Sequence, residues 1–142
     1  MRLSWNEIRT RAATFAREWA GEGYEKGQTQ LFYQGLFHVF GVPVRRVASF
    51  EQPVKKLGDK RGYIDLFWKG VLLVEQKSLG RDLNIAKDQA FNYFPGLKDA
   101  DLPRYLLLSD FQTFELYDLD EDEQASFTLA DLPSHVEKLG FI

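Results

Sequence analysis

The chain has 142 residues, enough for one domain, and its 44% hydrophobic and 15% aromatic content supplies a real core, so extensive disorder is excluded. It has no cysteine, which excludes disulfides and thiolate metal sites. With no apolar leader and no apolar run of about 18 residues, a soluble, cytoplasmic protein with no membrane partner is expected.

The net charge of −3 conceals an asymmetry. Residues 1–100 carry 16 Lys and Arg against 11 Asp and Glu, whereas residues 101–142 carry 2 against 10. The densest basic stretch is Arg45, Arg46, Lys55, Lys56, Lys60 and Arg61. It suits a phosphate-bearing partner or simply a solvated face.

In chain order, Ser4 followed by Glu7 has the capping-box spacing, and Trp5, Ile8, Ala12, Phe15 and Trp19 recur every three or four residues. This predicts a first amphipathic helix, ended by Gly21 and Gly23. A second helix is expected from about Tyr24 to Phe40, with Leu31, Phe32, Leu36, Val39 and Phe40 inward; Gly41 caps it and Pro43 blocks its continuation. Extended structure follows from Val47 to Lys56. A turn through Gly58 and Asp59 leads into "GYIDLFWKGVLLVEQKS", Gly62 to Ser78, which reads as a strand pair. A third helix is capped by Asp82, with Ile85, Ala86, Phe91 and Phe94 inward, and is stopped at Pro95-Gly96. "RYLLLSD" and "TFELYDLD" read as strands, residues 120–126 as an acidic turn, and "LADLPSHVEKLGFI" as a closing helix. The order α-α-β-β-β-α-β-β-α predicts an α/β fold, a mixed sheet between helices.

Three charged residues sit in the most apolar part of this pattern: Asp65, Glu75 and Lys77. A buried carboxylate must protonate or find a cation. Glu75 and Lys77, two apart on a strand, share a face. Asp65 joins them only if the hairpin loop is odd. A two-residue loop at Lys69-Gly70 would turn Asp65 away. A three-residue loop, Trp68 to Gly70 with Gly70 left-handed, pairs Phe67 with Val71 and sets Asp65 diagonal to Glu75. The odd loop, or a bulge of the same parity, is expected. Two carboxylates so placed are a typical Mg²⁺ arrangement, with Mn²⁺ able to substitute, and a charged Lys77 would steady water and developing negative charge. The same three residues could instead form a buried ion cluster that ties the hairpin down.

Asp65 followed by "EQK" at 75–77 resembles the PD-(D/E)XK nuclease signature, with Ile64 where the signature often has proline. The stretches "YEKGQTQLFYQGLFHVFGV", "GYIDLFWKGVLLVEQKSLGRDLNIAKDQAFNYFPGL" and "LLLSDFQTFELYDL" resemble, in order, the N-terminal endonuclease region of MmeI-like restriction–modification enzymes. The resemblance implies a restriction-endonuclease-like core and a Mg²⁺-dependent DNA endonuclease. Asp65, Glu75 and the Gln76 backbone carbonyl would then bind metal, and Lys77 would be the catalytic lysine. It offers Glu25 as a further metal ligand, Gln89 and Gln30 as site-lining residues, and Lys55, Lys56, Lys60 and Arg61 as DNA contacts.

No Asn-Pro-Pro-Tyr/Phe motif and no glycine-rich S-adenosylmethionine loop occur in this sequence. Residues 1–142 are therefore expected to be a single nuclease module, the N-terminal part of a longer polypeptide. Its partners would be double-stranded DNA and the methyltransferase and target-recognition domains of the same chain, with transient dimerisation on DNA to cut both strands. The competing expectations are a catalytically silent module of the same fold, used for docking, and a structure-specific nuclease. Other chemistry lacks its parts: His38 is expected to be packed on its apolar helix and His135 to lie at the surface, and there is no HExxH, Walker A or GxSxG motif.

Overall fold

A computed structural model describes residues 2–56, 58 and 60–142. Three helices, α1 (Trp5–Glu18), α2 (Glu25–Val39) and α3 (Leu83–Tyr93), pack on one six-stranded sheet. The strands are β1 (Ser49–Lys55), β2 (Arg61–Trp68), β3 (Leu72–Gln76), β4 (Tyr105–Ser109), β5 (Thr113–Asp118) and β6 (Glu123–Thr128). They lie in sequential order, and every neighbouring pair is antiparallel except β3 and β4, which α3 connects in parallel. The architecture is thus the expected α/β core.

The centre of the sheet is covered on both faces. Leu66, Val74, Leu107 and Phe114 pack on one side with Ile8, Phe15, Phe32 and Leu36 of α1 and α2. Leu73, Leu106 and Leu108 pack on the other with Ala86, Ala90 and Tyr93 of α3. All five residues of β3 are buried, which explains why that strand reads as a continuous apolar run rather than an alternating one.

Local signals behave as their chemistry requires. Ser4 Oγ accepts from the Glu7 amide and Asp82 from the Asn84 amide, capping α1 and α3. Gly41 ends α2 in the left-handed region at φ +75°. Gly58 has φ +83°, whereas Asp59, the other residue of the expected turn, lies outside the described residues.

Four details differ from expectation. Leu31 on α2 is 55% exposed, and on α3 Ile85 is 56% exposed and Phe91 is also exposed; the buried stripe of α3 is Leu83, Ala86, Ala90 and Tyr93. Small alanines there let the helix approach β3 closely, so the larger side chains are turned outward. Residues 123–128 form β6 rather than an acidic turn; this edge strand buries only Phe127, leaving almost no apolar signature. The closing segment is two short 3₁₀ turns, Leu132–Ser134 and Val136–Leu139, not a helix. Its backbone bonds step back three residues, from Ser134 to Asp131 and from Lys138 to His135, which tightens the segment against α1. The histidines are also reversed: His38 is exposed, and His135 is partly buried, stacked on Phe127 at 4.9 Å.

The β2–β3 loop has the expected parity but sits one residue further on. Trp68 pairs with Leu72 and Leu66 with Val74, so the three loop residues are Lys69, Gly70 and Val71, with Gly70 left-handed at φ +74°. Asp65 and Glu75 each lie one residue past the last pair of this ladder, Leu66 with Val74. Gly70→Ala should cost about 1–2 kcal/mol in urea unfolding, the usual penalty for a left-handed L-residue. The added Cβ would meet nothing nearer than the Ala100 carbonyl oxygen at 3.5 Å, so this cost is conformational. Gly96→Ala should cost more, because its Cβ would fall 2.0 Å from the Lys55 carbonyl oxygen.

Candidate active site

Beyond the Leu66–Val74 pair the β2–β3 ladder changes character. The Asp65 Oδ2 atom accepts the Gln76 backbone N–H at 2.7 Å, so a side-chain carboxylate takes a β3 amide. Glu75, on the Asp65 side of β3, is only 4% exposed, and its Oε2 atom is buried without a hydrogen-bond partner. Burial pushes the Glu75 carboxyl up to about 10, and the neighbouring Asp65, by charge and by a shared hydrogen bond, pushes the same way against Lys77. Asp65 is raised as well, chiefly by burial, while its hydrogen bonds to Glu75 and the Gln76 amide and the charge of Lys77 pull it back. Two carboxyl groups thus compete for one patch of low dielectric, and at least one keeps a proton when no cation is present.

Lys77 does not neutralise the pair by direct contact. Its Nζ donates to Gln89 Oε1 at 2.5 Å, and its backbone N–H donates to the Ser109 carbonyl at 2.8 Å. The ion pairs among the described residues join Arg9 to Glu137, Arg11 to Glu7, and Arg104 to Asp118 and Asp120. None joins Lys77 to either carboxylate. The expected alternative, an Asp–Lys–Glu ion cluster, is therefore not formed: α3 holds the ammonium on a neutral amide beside the carboxyl pair.

Gln76 faces the opposite side of β3. Its Oε1 accepts from the Tyr33 hydroxyl of α2, and its Nε2 is buried without a partner. Burial raises the Tyr33 hydroxyl well above its ordinary range, and the charges of Asp65 and Glu75 add to the effect. Tyr33 is consequently a neutral strut under the strand that carries Glu75.

Of the other expected residues, Glu25 is the first residue of α2 and lines a cavity of about 590 Å³ together with Gln30 and Asp65. Its charge reaches Glu75, but among the described residues no three carboxylates or histidines come close enough to hold one ion. Gln89 is brought to the site by its bond to Lys77. Lys55, Lys56, Lys60 and Arg61 are not in the cavity. They flank the far end of the β1–β2 hairpin, where Lys55 pairs with Arg61, four residues and therefore roughly 13 Å along β2 from Asp65.

Two neighbours escape the sequence reading. Glu51 on β1 has φ +51°, lines the same cavity and raises Asp65 through its charge. Nothing in the sequence signals a left-handed glutamate inside a strand. Tyr93 lies one helical turn beyond Gln89 on α3; its ring packs over Gly62, and its hydroxyl is raised by burial and then by the charges of Glu75 and Asp65. The spacing of four from Gln89 was the available clue.

The donors present fit a divalent cation: two adjacent oxygen-bearing side chains, one with an unsatisfied buried oxygen, are hard ligands short of a positive partner. Among known proteins, a family model described as MmeI, N-terminal domain, matches residues 10–142. No curated protein and no solved structure matches the chain.

The buried pair makes a pH prediction for the metal-free protein. A carboxyl raised in the native state holds a proton that the unfolded chain has released, so stability must fall as pH rises from about 4.5 toward 10. Urea unfolding in chelator should lose up to ~1 kcal/mol per pH unit between pH ~5.5 and ~8.5. In Glu75→Gln most of that slope should vanish.

Proposed function

We propose, for a chain that belongs to the MmeI N-terminal domain family, that this domain is the DNA-cleaving part of a restriction–modification enzyme. It would hydrolyse phosphodiester bonds with Mg²⁺, or Mn²⁺ in its place, held by Asp65 and Glu75, with the Gln76 backbone carbonyl available as a third oxygen. The carrying observation is the unsatisfied Glu75 Oε2 beside Asp65, with an ammonium held close but unpaired to either. A purely structural ion cluster would use that ammonium to neutralise the carboxylates; here it is kept free of them.

When bound, the cation would neutralise the pair, polarise a phosphoryl oxygen and ease deprotonation of water. The chain's own contributions are distinct. Asp65 is oriented by the Gln76 amide, so its free lone pairs face the cavity. Gln89 positions the Lys77 Nζ, which retains donors for water or for the negative charge that develops on the phosphoryl group. Glu25 and Glu51, at the cavity rim, repel stray phosphates and restrict entry to a substrate that is paired with a cation. The DNA would meet basic side chains at the hairpin tip, and the methyltransferase and target-recognition functions would be supplied by the rest of the same polypeptide.

The tests separate an enzyme from a silent docking module. Glu75→Ala should abolish cleavage of a duplex and Mn²⁺ binding measured by calorimetry, while thermal stability at pH ~8 stays equal or rises, because the native state no longer has to hold a buried proton that the unfolded chain has released. Unfolding of that variant would favour a purely structural role. Lys77→Ala should lose cutting by at least ~100-fold and keep Mn²⁺ affinity within a few-fold. If wild-type protein binds no Mn²⁺ and cuts nothing, the docking reading replaces the nuclease.

A further inference from the structure

A second cavity, of about 560 Å³, opens at the opposite end of α2. Arg11, His38 and Arg45 rim it, over an apolar floor that includes Leu3, Val42 and Val44. Gln34 lines both this cavity and the one that holds Asp65. The two are joined along one ridge of α2 formed by Lys26, Gln30, Gln34 and His38, each four residues from the next. At 1.5 Å per residue the ridge runs about 18 Å, roughly five nucleotide steps along a duplex.

Of the two arginines in the second cavity, one is left unpaired and the other is fixed in place. Arg45 sits exposed in a short 3₁₀ turn and makes no ion pair among the described residues. Arg11 is held in place by Glu7, and its Nη1 donates to the His38 carbonyl at 3.0 Å. The same Nη1 lies 3.4 Å from the His38 Nε2, so guanidinium and imidazole are held side by side. A positioned guanidinium, an unpaired one and an imidazole edge thus face one basin, and the apolar floor offers the flat contact that a sugar face needs.

We infer that this basin is a subsite for the DNA backbone: a phosphate several nucleotides from the scissile one binds between Arg11 and Arg45, beside His38, after the strand has followed the α2 ridge. Charge complementarity and continuity, through Gln34, with the cavity that Asp65 lines select this occupant. The assignment rests on the nuclease reading above and adds to it the path of the substrate.

The experiment measures binding of a fluorescent DNA duplex in Ca²⁺, over a range of salt, alongside histidine NMR. The chain has two histidines, so His38 reports on the basin and His135, stacked on Phe127, serves as the internal reference. Adding duplex should move the His38 resonances and leave those of His135 in place. Arg45→Glu should weaken binding about tenfold and lower the slope of log K against log salt by about one. Arg45→Lys should stay within about threefold and Lys138→Glu, in the acidic C-terminal third, within about twofold, with Mn²⁺ affinity unchanged in all.

The inference is overturned if Arg45→Glu keeps wild-type affinity and salt slope, or if His38 ignores a duplex that binds. In those cases a wild type that still cuts DNA leaves the nuclease reading standing. If wild type neither binds nor cuts the duplex, both fall. His38 shifts that depend on protein concentration and not on DNA would assign the basin to a protein partner, which also overturns it.

Discussion

The carboxyl groups of Asp65 and Glu75 meet just beyond the last pair of the antiparallel β2–β3 ladder, and this single juxtaposition organises what surrounds it. It follows from the parity of one loop. With Lys69, Gly70 and Val71 between Trp68 and Leu72, Phe67 shares a face with Leu73 and Leu66 with Val74, so the odd-numbered side chains next to the loop meet across the two strands. A loop shorter by one residue would send Asp65 to the other surface and leave Glu75 alone among leucines. A left-handed residue at position 70 is therefore a condition of the site as much as of the hairpin.

The remaining structure holds that pair in an unfavourable state. β3 is buried along its whole length, which denies Glu75 the solvent that would ease its charge. From one side α2 supplies Tyr33, bonded to Gln76; from the other α3 supplies Gln89, bonded to Lys77. Glu75 and Gln76 at the end of β3, and Lys77 just beyond it, are thus tied to two helices and to Asp65, which keeps the carboxyl pair from relaxing by turning outward. On the proposed reading this is preorganisation: the cost of crowding two carboxylates is met in folding and recovered when a cation binds.

Much of this was legible in the residues. The caps at Ser4 and Asp82, the left-handed stop at Gly41, the parity of the hairpin and the grouping of Asp65 with Glu75 and Lys77 all follow from local rules that the tertiary structure did not override. Failures came where burial was decided by distant partners. Ile85 and Phe91 carry the apolar periodicity of α3, yet Ala86 and Ala90 face the sheet, because close approach to β3 favours small side chains over large ones. β6 lies at an edge and buries one residue, too little to mark it as a strand. Glu51 reaches the site only because its backbone is left-handed, and no pattern of residue types encodes that.

The most direct test is crystallographic. A crystal soaked in Mn²⁺ should show an anomalous peak bonded to carboxylate oxygens of both Asp65 and Glu75, with Lys77 still on Gln89. A soaked crystal with no peak there, and with Asp65 turned to the opposite surface from Glu75, would contradict the account.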